Sequence, residues 1–143
     1  MSIVDAVMAA AVAALQAGPA VAAQVERGRW RPLAGAATTA VVVRPVQADR
    51  ETAAMAFAGP DAWAVRIGVE CYARAAAGVA ADVALDPVLQ AVYARLMADP
   101  TLGGVLRGLE PLSLAFDFDA DGEKTACGIF IFTARVNSGP SFN

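Results

Sequence analysis

Three aspartates and a glycine, Asp117, Asp119, Asp121 and Gly122, stand at the spacing D-x-D-x-D-G within FDFDADGEKTACGIF (residues 116–130). This is the first half of an EF-hand calcium loop, whose ligands fall at positions 1, 3 and 5 and whose glycine at 6 makes the sharp turn. The second half departs from that pattern. Position 12, where a bidentate Glu belongs, is Gly128, and position 8 is Lys124, a cation beside the ion. The flanks alternate as strands do, with no helical period. A tight turn accounts for the run better, because Asp-Gly between alternating segments is the strongest short-range hairpin signal. With Asp121-Gly122 at the centre of a two-residue type I′ turn, Asp119 faces Lys124, Phe118 faces Thr125, Phe116 faces Cys127, Leu114 faces Ile129 and Leu112 faces Ile131. Leu112, Leu114, Phe116, Phe118, Cys127, Ile129 and Ile131 then share one face, and Ser113, Ala115, Asp117, Asp119, Lys124, Ala126 and Gly128 the other. No metal is expected at this turn.

Other chemistry is scarce. Histidine is absent, which removes the commonest general base and metal ligand. A Ser or Cys nucleophile would need a Lys or carboxylate base, yet the single lysine, Lys124, lies in the hairpin turn. Glu70 and Glu110 read as isolated carboxylates. TLGGVLRG (101–108) is glycine-rich but lacks G-x-x-x-x-G-K-[ST], so it reads as punctuation after a helix. Cys71 and Cys127 match no zinc or redox spacing; they read as buried thiols in a reducing compartment. No catalytic, cofactor-binding or metal-ligating residue is expected, and the chain is not expected to be an enzyme.

The net charge of −3 and a pI near 4.8 offer no positive field for specific nucleic-acid binding. Arg27, Arg29 and Arg31 nevertheless alternate around Gly28 and Trp30 and share one strand face. That face reads first as a charge-blunted edge, next as a contact for a protein partner, and last as a nucleic-acid contact. The connection at 47–61 holds Met55, Phe57 and Pro60, with Trp63 just beyond; it reads as a flap over the chain's own core or an arm reaching a neighbour.

These residues must be placed by a chain of 143 residues, read as one domain spanning 1–143. Much of the 57% hydrophobic content is alanine, so the core rests on Val, Leu, Ile and Phe. Residues 3–15 hold Ile3, Val4, Val7, Met8, Val12 and Leu15 on one helical stripe, with Ser2 as cap and Asp5 as the capping-box acid. No Lys or Arg precedes this run and it is short for a bilayer, so it reads as an amphipathic helix rather than a signal peptide or membrane span. Strands are expected over 21–31, 38–46 and 63–74, with Pro45 at an edge or bulge and Trp63, Val65, Ile67, Val69 and Cys71 alternating inward. A second helix is expected over 83–98, capped by Asp82 or Asp86, with Pro87 confined to its first turn. Strands over 109–119 and 124–136 complete an α+β domain: a largely antiparallel sheet of four to five strands with two main helices packed on it. In the last strand Phe130 and Phe132 fall opposite Ile129 and Ile131. Both of its faces are therefore apolar, and Phe130 and Phe132 need a cover from a helix or another subunit.

The order of segments carries a resemblance. VERGRWRPL follows an amphipathic helix; DAWAVRIGVECYA follows a long polar loop; a helix ends in LMADPTLGGVLRGLEP; an acidic hairpin and CGIFIFTARV close the chain. This arrangement, with ADPTLGG its most specific piece, resembles the tail terminator (tail completion) proteins of long-tailed bacteriophages over nearly the whole chain. The resemblance implies a homohexameric ring that caps the tail tube, stops its polymerisation and presents a surface to the head-tail connector. It implies tail tube protein and connector protein as partners, with no membrane or cofactor. It also implies a place at the head-proximal end of the tail in the virion, after assembly in the host cytoplasm. Arg27, Arg29, Arg31, Met55, Phe57, Phe130 and Phe132 are the candidate subunit or tube contacts. A neck or head-completion protein of the same virion, and a dimeric α+β ligand-binding or enzyme domain, are the alternatives.

Overall fold

The computed structural model describes residues 1–28, 37–51, 61–118, 125–139 and 141–143. Two helices, α1 (Ile3–Gln16) and α2 (Ala81–Ala98), accompany five strands: β1 (Gln24–Arg27), β2 (Thr39–Arg50), β3 (Asp61–Arg74), β4 (Gly108–Phe118) and β5 (Thr125–Ser138). The strands form one sheet in the order β1-β2-β3-β5-β4, with β1 parallel to β2 and every other pair antiparallel. The architecture is the expected α+β fold, a five-stranded, mostly antiparallel sheet with two helices.

Both helices cover the same face of the sheet. Ile3, Val7, Met8, Ala11 and Leu15 of α1 and Leu85, Val88, Leu89, Val92 and Leu96 of α2 join Val65, Ile67, Val69 and Cys71 of β3 and Phe130, Phe132, Ala134 and Val136 of β5 in one core. The first helix begins as its sequence demands. The Ser2 hydroxyl accepts a hydrogen bond from the Asp5 amide at 3.1 Å, which satisfies one orphan N–H of the first turn. The Asp5 carboxylate points instead to Arg27 of β1, at 2.6 Å. The other end of α1 is held by α2. The Arg95 guanidinium donates to the carbonyls of Ala14, Leu15, Ala17 and Pro19, acceptors left over where the helix stops, and its positive charge suits the negative end of the helix dipole.

The second helix corrects the expected start. It begins at Ala81 with Ala80 as N-cap and no side-chain cap, so Pro87 lies in its second turn. Pro87 and Val83 are both on the exposed side. The carbonyl of Val83, which a proline four residues on cannot serve, thus faces solvent, and that makes the proline tolerable. After α2 the Asp99 carboxylate accepts from the Thr101 hydroxyl (2.6 Å), the Thr101 amide (3.1 Å) and the Gly103 amide (2.9 Å). These bonds hold its pKa below the ordinary value, the Thr101 hydroxyl most of all. They wind a turn in which Leu102 (φ 45°), Gly103 (74°) and Gly104 (87°) are left-handed, and Leu102 is driven into the core. ADPTLGG is therefore a plug: an aspartate-organised turn whose glycines permit positive φ and whose leucine seals the end of α2.

The strand ladder also departs from expectation. β2 runs on to Arg50 past a bulge between Pro45 and Gln47, and β4 carries a bulge between Pro111 and Ser113. Cross-strand pairing places Pro45 opposite Ile67, Ile67 opposite Phe132 and Phe132 opposite Pro111, so the two prolines end one row across four strands. Beyond the bulge, Leu114 pairs with Phe130, Phe116 with Gly128 and Asp117 with Cys127, one residue out of the register that a two-residue turn at Asp121-Gly122 imposes. The turn, residues 119–124, lies outside the described residues.

The reason for the shift is the helix cover. β3 points its Val, Ile and Cys residues at the helices, and its pairing with β5 sends Phe130 and Phe132 to that side. Partners across a ladder share a face, so the shifted register puts Leu114 and Phe116 on the helix side too. The expected register would have placed them with Ile129 and Ile131 on a face with no helix among the described residues.

Candidate interaction surfaces

Phe130 and Phe132, expected to need a cover from a helix or another subunit, find it in the helix α2. Phe132 is fully buried and Phe130 is 7% exposed, packed between Tyr93 of α2 (6.0 Å between ring centroids) and Phe132 (5.5 Å). In the single chain both side chains belong to the core. Of the other candidates, Arg27 is exposed and engaged with Asp5. Arg29, Arg31, Met55 and Phe57 lie outside the described residues.

The helix-free face holds a polar cluster that the sequence reading missed. Glu70 is only 7% exposed, yet it accepts from the Tyr72 hydroxyl and pairs with Arg44 of the neighbouring strand. A cavity of about 180 Å³ opens here, lined by Glu70, Tyr72, Asp117, Thr125, Cys127 and Ile129. Far from isolated, Glu70 is partnered because β2–β3 pairing sets Val42 opposite it and Arg44 one step along. Burial, then the bond to Glu70, pushes the Tyr72 hydroxyl far above its ordinary value. Glu110 is likewise not isolated: its carboxylate lies 3.7 Å from Arg135. Among the described residues no group of three or more His, Cys, Asp or Glu side chains converges on a common point.

Both cysteines are buried and free, as expected. Burial above all pushes Cys71 up to about 12 and Cys127 up to about 11. At pH 8 a thiol titrating near 11 is thiolate in about one part in a thousand. The folded protein should resist a maleimide at pH 8, with both thiols labelling only in denaturant; stoichiometric labelling of the native chain within minutes would contradict this.

A second cluster anchors the end of β2. Glu51 receives Arg107 at 2.9 Å and also Arg135. Burial opposes its ionisation, but the two arginine hydrogen bonds and charges together outweigh it and hold its pKa below 4.5. A depressed folded pKa means the contribution is complete above the unfolded value and fades as pH falls through the folded one. Glu51→Gln should therefore lower the melting temperature at pH 7, with the gap to the native chain closing below pH 4.5; a gap constant from pH 7 to pH 3 would rule the pairing out as a stabiliser.

The exposed apolar surface is concentrated on β4. Leu112, Leu114 and Phe116 are 57%, 38% and 55% exposed. β4 is an edge of the sheet, and α2 stops short of covering Phe116. Between them lies a cleft of about 350 Å³, with Leu85, Leu89 and Phe116 as its apolar part and Asp82 and Asp86 at its rim. A larger hollow of about 400 Å³ lies between α1 and the turn after α2, but its two charged groups are committed, Arg95 to carbonyls at the end of α1 and Asp99 to Thr101 and Gly103. No helix among the described residues is long and apolar enough to cross a membrane.

No protein-family model and no curated protein matches the chain. Among solved structures, a chain from the virion of the native gene transfer agent (GTA) particle superposes with a TM-score of 0.57 at 18% identity, over 94% of this chain and 98% of that one. End to end, the protein has the fold of that virion chain.

Proposed function

We propose that this protein is a structural component of a virion that assembles as a ring on the head-proximal end of a phage tail tube, ends tube polymerisation and offers the head-tail connector a surface to join. The observation that carries this reading is the near-complete fold match to a chain of a virion, over 98% of that chain's length. The molecule's build agrees with it. A ring of identical subunits needs two different patches that meet head to tail and close. The sheet has two unlike edges, a short parallel β1 at one end and the long apolar β4 at the other. The test is to add the purified protein to polymerising tail tube subunits and to image the products by electron microscopy. Tubes should shorten and carry a ring at one end. Tubes of unchanged length with bare ends would reject the assignment, and binding to the portal side alone would make the protein a neck component.

A further inference from the structure

The α2–β4 cleft is an apolar slot with an acid rim, at the β4 edge of the sheet. Leu85 and Leu89 line it from one side and Phe116 from the other. Phe116 is left 55% exposed by its own chain, an unusual state for a side chain that gains so much from burial. Asp82 and Asp86 stand on α2 one turn apart; Asp86 accepts from Gln90 at 2.6 Å, and no arginine of the described chain pairs with either.

Such a slot calls for a large flat apolar group flanked by cations. The chain contains one such segment, RGRWRPL at residues 27–33, in which Trp30 stands between Arg29 and Arg31. Residues 29–33 lie outside the described residues, so their suitability is one of sequence and charge. Their tether is described: β1 ends at Arg27, and Gly28 follows in the left-handed conformation with its amide on the Val43 carbonyl at 2.9 Å. This departure point is at the β1–β2 edge, and the cleft is at the β4 edge, the opposite end of the strand order. Basic segment and acidic slot on opposite edges are what a head-to-tail repeat of one chain requires.

We infer that the α2–β4 cleft receives the Arg29-Trp30-Arg31 segment of a second copy of this chain, with Trp30 against Phe116 and the two arginines over Asp82 and Asp86. The inference rests on the ring proposed above and names its subunit contact.

The test uses the full chain. Asp82→Arg/Asp86→Arg and Arg29→Asp/Arg31→Asp should each cut the assembled fraction in sedimentation velocity by about tenfold or more, and combining the two reversals should restore it. Thermal melts confirm that each variant folds. Should a reversal fail to fold, Trp30→Cys and Asp86→Cys chains, made separately and mixed under oxidising conditions, should give a disulfide-linked heterodimer. Rings that persist through both reversals, or that give no interchain disulfide, overturn this contact and leave the ring reading standing. A chain that remains monomeric even with tube subunits removes both.

Discussion

Replacing Phe132 with alanine should destabilise the fold by about 3–5 kcal/mol, the range for truncating a buried Phe. Phe132 is fully buried, stacked beside Phe130 and paired across the ladder with Ile67. In a chain of this size that corresponds to a melting temperature lower by roughly 10–15 °C. Asp117→Ala, on an exposed aspartate, should stay within about 0.5 kcal/mol. The comparison separates two roles for the last strand. A core residue loses monomer stability when truncated, whereas a subunit contact loses assembly and spares the isolated chain. Urea unfolding of the unassembled protein reads the difference directly. A loss below about 1 kcal/mol for Phe132→Ala would mean that the phenylalanine is not in the core.

Gly128→Val tests the packing of β5 beneath α2. A Cβ at position 128 would lie 2.9 Å from Leu89 Cδ2, 3.4 Å from Leu85 Cδ2 and 3.5 Å from Leu114 Cδ1. Two further methyl groups have to push α2 away from the sheet, and overpacking of this kind costs about 1–3 kcal/mol. Valine should sit near the top of that range, because the side chains it meets belong to both α2 and β4. The pairing of β5 with β3 sets which way position 128 faces, so a loss of this size in the urea midpoint is the expected mark of β5 packed directly under α2. An unchanged or raised midpoint, as for a valine replacing glycine on an open strand face, would mean that position 128 does not face the helix.

The elements themselves were legible because their signals are local. The stripe and cap of α1 and the alternation of β3 depend only on nearby residues, and both appear as read. What escaped was set at long range. The shift between Leu114 and Phe130 depends on a bulge at Leu112 and on which face α2 covers, and neither is written in the hairpin. The same holds for Glu70: its partner Arg44 is 26 positions away in sequence but adjacent in the ladder. Pro87 falls in the second turn because α2 starts at Ala81, ahead of the expected start, with no side-chain cap to mark it, and the carbonyl that the proline frees lies on the exposed side. The contact candidates divide in the same way. Exposed Arg27 was readable as an edge charge, while Phe130 and Phe132 looked uncovered only because the chain's own helix could not be placed over them.

The row Pro45–Ile67–Phe132–Pro111 has a bearing on solubility. Sheets with open edges tend to grow sideways by recruiting strands from other molecules. Here the row ends in a pyrrolidine on each side, with a bulge directly after each. Neither proline has an N–H to donate, and each bulge throws the following residues out of step with any incoming ladder. A strand laid along either border would lose its hydrogen bonds at the same height. The two prolines and their bulges thus blunt the ladder at one height on both sides, a device that works against sideways strand addition.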